Sequence, residues 1–130
     1  MGWCRQSYLS GSSHLANRIG FGKYVTRSQL EHTTLLSTRN APGNIHRGNL
    51  AMFRWDATPA MSTVRSPLLV LSGDMDIVTK PEAGQTIAAD RPGSEYIGVD
   101  GVNHMGFLEL APTYNKAIES FALLAHRAAL

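Results

Sequence analysis

Asp74, Asp76 and His104 are the residues of this chain whose types and spacing suggest joint chemistry. The two acids lie in Gly73-Asp74-Met75-Asp76, directly after the apolar run Leu68-Leu69-Val70-Leu71-Ser72, and Asn103-His104 follows Glu95-Tyr96-Ile97-Gly98-Val99. A carboxylate that accepts an imidazole N–H fixes the ring's tautomer and stabilises the imidazolium, which leaves the other ring nitrogen free to act as a general base. Twenty-eight residues separate Asp76 from His104, so any pairing depends on a fold that brings two distant loops together. Asp74 competes with Asp76 for the acid's place. Its plainer reading is a turn residue that bonds nearby backbone amides.

The elements around these residues supply such a fold. A short apolar run closed by Gly73 suits a strand buried on both faces, and Glu95–Val99, closed by Asp100-Gly101, reads as the next strand. Between them, Thr79-Lys80-Pro81-Glu82 has the capping-box pattern and opens a helix whose inward stripe is Ala83, Ile87 and Ala88, with Gly84 as a flaw. Arg91-Pro92-Gly93 ends that helix. Parallel strands joined by a helical crossover can lie side by side, and ligand sites form beyond their carboxyl ends. Asp76 and His104 both sit at such ends. A last helix from about Pro112 would carry Tyr114, Ala117, Ile118, Phe121, Leu124 and Ala125 on one side.

The first half of the chain is less regular. Residues 1 to 27 show no sustained period. Ser28-Gln29-Leu30-Glu31 is a capping-box pattern that predicts a helix carrying Leu30, Thr34 and Leu35 on one face and stopping before Asn40-Ala41-Pro42-Gly43. A further helical stretch is expected over Asn49 to Trp55, and a short turn around Ala60, Met61 and Val64.

Length and composition narrow the setting. The 130 residues, 43% hydrophobic and 17% charged, fit one globular domain with a packed core. The net charge of +2 calls for neither nucleic acid nor a membrane surface. Residues 1 to 65 carry eight basic and two acidic side chains, whereas 66 to 130 carry four and eight, which suits a basic segment packed beside an acidic one. A single cysteine, Cys4, allows no internal disulfide and points to the cytoplasm. No apolar run approaches the roughly 20 residues of a membrane helix, and the N-terminus has neither an export nor a lipidation pattern. No cofactor or metal is expected: Gly20-Phe21-Gly22 has Val25 in place of a dinucleotide fingerprint's third glycine, and the five histidines are too widely spaced for a helical metal pair.

The run Pro67-Leu68-Leu69-Val70-Leu71-Ser72-Gly73-Asp74-Met75-Asp76-Ile77-Val78-Thr79 resembles the strand and acid loop of the α/β-hydrolase family, and His104, with Glu109 and Pro112, is similar to the family's histidine loop and final helix. The match covers about residues 56 to 126. The resemblance implies a partial α/β-hydrolase fold, a parallel strand-helix-strand unit with a terminal helix, preceded by a helical lid. Residues 1–57 would be the lid and 58–130 the carboxyl-terminal part of the core. It assigns Asp76 as triad acid and His104 as triad base, and lets Trp3, Phe53, Trp55 and Met105 contact a small-molecule substrate. Asn103 departs from the family, which more often has a small residue before the histidine.

The larger departure is the nucleophile, which the family carries on a strand-to-helix elbow, usually within G-x-S-x-G. Ser10-Gly11-Ser12-Ser13-His14 lacks the flanking glycines and a preceding apolar strand. In the family's order the nucleophile precedes the acid, so the chain reads as a piece that starts after the elbow. The reading implied is hydrolysis of an ester or other carbon–heteroatom bond, with a binding or regulatory module as the alternative. Two strands also make too small a sheet to bury both faces. Self-association, or an amino-terminal half outside this chain, would cover them.

Overall fold

A computed structural model describes residues 2–89, 91 and 93–128, the side chains of Trp3 and Ala128 excepted. Five helices come first: α1 (Gly2–Leu9), α2 (Ser12–Arg18), α3 (Arg27–Arg39), α4 (Pro42–Arg54) and α5 (Thr58–Met61). Then follow β1 (Leu69–Gly73), α6 (Pro81–Ala89), β2 (Glu95–Val99), α7 (Gly106–Glu109) and α8 (Ala111–Ala128). The architecture is α/β, as expected.

β1 and β2 pair in parallel, with Leu69 opposite Glu95 and Gly73 opposite Val99. Side chains alternate across a strand, so Val70 and Leu71 face opposite ways. Val70, beside Tyr96, meets α6: a Cβ placed on Gly84 would lie 3.1 Å from Val70 and 3.2 Å from Tyr96. Gly84 is therefore no flaw. Its missing side chain lets α6 approach the sheet. Leu71 and Ile97 pack on the other face against Val99, Val102 and Tyr114, with Leu110 beside them. The start of α8 thus covers that face.

This core is small. Leu69, Val70 and Leu71 are only half-buried, which differs from a strand buried on both faces, because one partner strand and two helices supply too little cover. On α8, Tyr114 is buried while Ile118 and Leu124 of the same stripe are 52% and 60% exposed. The amphipathic pattern extends past the surface that it can cover here.

The helical half corrects several expectations. Residues 2–18, read as irregular, form α1 and α2, which pack on each other and on α3. Tertiary contact decides their state where periodicity does not. α3 begins two residues earlier than expected, capped by Thr26, whose hydroxyl accepts the Gln29 N–H while the Gln29 side chain accepts the Thr26 N–H. A capping box built on Thr26 and Gln29 displaces the Ser28 and Glu31 pattern. α3 ends at Arg39, as the Asn40–Gly43 stretch predicts. Pro42 then opens α4 at its first turn, so the residue that stops one helix starts the next, and α4 is longer than Asn49 to Trp55. Asp56 accepts the Thr58 N–H at 2.9 Å where α5 starts.

The two halves meet along residues 19–24 and the histidine loop. The Lys23 N–H donates to the Gly101 carbonyl at 2.7 Å and the Met105 N–H to the Gly20 carbonyl at 2.9 Å. Gly22 packs so tightly on Gly101 and Val102 that a Cβ would overlap their backbone.

Candidate active site

The loop after β1 is held from both sides. The Asp74 N–H donates to the Val99 carbonyl at 3.1 Å, the Met75 N–H donates to the Val102 carbonyl at 3.0 Å, and the Gly101 N–H donates to Asp74 Oδ1 at 2.8 Å. Asp74 is thus a loop-fixing residue that faces the turn after β2. A Cβ on Gly73 would lie 2.5 Å from the Val102 carbonyl oxygen, so only glycine lets the acid loop press against the histidine loop.

Asp76 points to His104, with Oδ2 3.2 Å from Nδ1. Asp76 is buried, whereas the His104 side chain is 38% exposed. The Asp76 carboxylate also accepts the N–H groups of Val78 at 2.8 Å and Thr79 at 2.9 Å, and the Thr79 hydroxyl at 2.8 Å. Burial raises the Asp76 pKa, but the Thr79 N–H, the Thr79 hydroxyl, the Val78 N–H and the His104 ring together reverse this and hold it below the ordinary carboxylate value. Asp76 is charged at neutral pH. Thr79, read from sequence as a helix cap, gives its hydroxyl to the acid instead, and α6 starts at Pro81 without it.

Asn103, Glu109 and Tyr114 are the other buried polar groups of the histidine loop and the helices that follow it. Asn103 accepts the N–H groups of Ile77 at 3.1 Å and His104 at 2.8 Å, and donates to the Ile19 carbonyl at 2.9 Å. Buried Glu109 accepts the N–H groups of Gly22 at 2.6 Å and Tyr24 at 2.9 Å. It thereby ties the histidine loop to the segment before α3. Burial, then the charges of Asp76 and Glu109, raise the Tyr114 pKa, so its phenol stays protonated. The bonds from Asn103 to Ile19 and from Glu109 to Gly22 and Tyr24 span 84 to 87 residues and have no local sequence signal; only an alignment of relatives or the fold itself exposes them.

The aromatic residues named for substrate contact are scattered. Trp3 lies outside the residues whose side chains are described. Phe53 and Trp55 are 83% and 75% exposed, so they line no enclosed site within this chain. Met105 is half-buried next to His104, its side chain near Gly20. A cavity of about 540 Å³ opens elsewhere, between α1, α3 and the start of α4, lined by residues that include Cys4, Arg5, Leu35 and Arg39. Of the predicted site residues whose side chains are described, none lines it. Among the described residues no group of three metal-ligating side chains occurs, and no helix is long and apolar enough to cross a membrane.

No family model matches the chain. Over 63 residues, 48% of its length, it is 32% identical to a Mycobacterium tuberculosis protein that carries the name non-heme bromoperoxidase BpoC. The chain spans about a quarter of that relative's length, 24%. Among solved structures it is similar to a thermophilic esterase from Thermogutta terrifontis, with 26% identity and a TM-score of 0.53, over 56% of this chain and 27% of that one. It is similar in fold to Est816, described as an N-acyl homoserine lactone degrading enzyme, with 22% identity and a TM-score of 0.62, over 91% of this chain and 50% of the other. The parallel pair with its flanking helices and these likenesses together identify the chain as carrying part of an α/β-hydrolase fold.

Proposed function

We propose that this chain supplies the acid and base of a nucleophile–histidine–acid triad that hydrolyses an ester or another carbon–heteroatom bond, the nucleophile coming from a segment outside it. The observation that carries this reading is the 3.2 Å contact between Asp76 Oδ2 and His104 Nδ1. It directs Nε2 away from the acid, on a ring that is 38% exposed. In the reaction, Nε2 takes the proton of a serine hydroxyl as its oxygen attacks the carbonyl carbon, and returns it to the departing alcohol. Water then releases the acyl group by the same route. Asp76 keeps the Nδ1 proton facing it and stabilises the imidazolium.

In this reading residues 1–57 form the lid, Met105 faces the substrate, and Trp3, Phe53 and Trp55 contact the substrate or the rest of the core once the chain is covered. The esterase likeness supports an ester as substrate class. The single cysteine suits a cytoplasmic protein. The second reading, a binding or regulatory module, is favoured by one observation: no hydroxyl or thiol of the described residues hydrogen-bonds His104 Nε2.

A p-nitrophenyl ester assay separates the two. The chain alone should give no turnover above a His104→Ala control. Mixing it with a separately expressed polypeptide that carries strand, G-x-S-x-G and helix should give turnover that both His104→Ala and Asp76→Asn abolish. Turnover by the chain alone that His104→Ala removes would place the nucleophile in this chain. A stable monomer that no such polypeptide activates would favour the binding module.

A further inference from the structure

We infer that Asn103 is the positioning residue of the Asp76–His104 pair, a single side-chain amide that sets the acid loop, the histidine loop and the helical segment in one register. The inference rests on the catalytic reading of that pair.

Its Oδ1 has two lone pairs, and both are used: one accepts the Ile77 N–H at 3.1 Å, the residue after the acid, and the other the His104 N–H at 2.8 Å, the base itself. Its Nδ2 donates to the Ile19 carbonyl at 2.9 Å, at the end of the second helix. The three partners are 26, 1 and 84 residues away in the chain. They also fix which way the amide faces, because a flipped amide would set its NH2 against two N–H donors. Asn103 is only 6% exposed, so water cannot take over these bonds. Without it, nothing else among the described residues accepts the Ile77 or His104 N–H, and, apart from the Asp76–His104 contact itself, the two loops would keep only the bonds at Asp74, Met75 and Gly101. Those bonds lie upstream of both reacting side chains.

The effect is positional, so it is read on the histidine ring. Long-range proton–nitrogen NMR of the 15N-labelled 130-residue chain, at a pH where the ring is neutral, reports whether Nδ1 or Nε2 carries the proton. The wild type should hold the Nδ1–H form facing Asp76. Asn103→Leu, provided that its circular dichroism matches the wild type, should lose that bias as fully as Asp76→Asn does. Asn103→Asp should keep it, because both acceptor contacts survive and only the link to Ile19 is cut. A folded Asn103→Leu with the wild-type tautomer, or a folded Asn103→Asp without it, would overturn the inference. If Asp76→Asn itself leaves the tautomer unchanged, the catalytic pairing fails instead. Should Asn103→Leu not fold, amide exchange of the wild type decides. One shared acceptor should slow the Ile77 and His104 amides together, each by about tenfold or more. An Ile77 amide that exchanges freely while His104 is protected would refute it.

Discussion

At the scale of single residues, the Asp76 carboxylate is the most constrained group in the site. Its folded pKa lies below the ordinary value near 3.9. The stability linked to it is therefore present above about pH 4 and is lost as pH falls through the lower native midpoint. Thr79→Val removes the hydroxyl bond but keeps the Thr79 N–H. Urea denaturation at pH 7 should show a loss of about 1–2 kcal/mol, which shrinks in acid once both proteins are protonated, and Thr79→Ser should restore most of it. An equal loss at low pH would mean that the hydroxyl acts through packing. Glu109, at the end of α7 after the histidine loop, is the matching case. Glu109→Gln leaves one oxygen for two backbone donors and turns an NH2 toward the second, so about 1–3 kcal/mol should be lost. Proteolysis should then cut faster within residues 19–26.

At the scale of elements, the strand-helix-strand unit was readable because its signals are local. β2 has the bounds that Glu95–Val99 and Asp100-Gly101 suggest, and β1 differs by one residue at each end. Where a local pattern competed with a long-range partner, the reading failed. Thr79 fits a capping box by spacing, yet its hydroxyl donates to the ionised Asp76 carboxylate and α6 starts at Pro81. Asn103 looked like a small departure and ties three segments together. Residues 2–18 have little pattern of their own and are helical through contact with α3. Gly84, counted against its helix, is explained only by the sheet beneath it. Gly84→Val should crowd Val70 and Tyr96 and cost about 1–3 kcal/mol, with altered near-ultraviolet dichroism from Tyr96. A variant as stable as the wild type would show that α6 can lift without penalty.

At the scale of the whole molecule, apolar surface is the feature that most sets this chain apart from a self-sufficient domain. Met52, Phe53 and Trp55 at the end of α4 and Ile118, Leu123 and Leu124 on α8 are exposed, and apolar surface left open to water promotes association. Sedimentation should show concentration-dependent self-association, which Phe53→Ser with Trp55→Ser reduces; a monomer at all concentrations would argue against it. The acid loop carries a different lesson. Apart from the histidine, every donor to Asp76 among the described residues lies within three residues of it. A peptide loop that ionises its own aspartate can do so before distant segments arrive. The imidazole would then dock against a counter-ion already in place, so the meeting of the two loops need not create the charge on which the proposed chemistry depends.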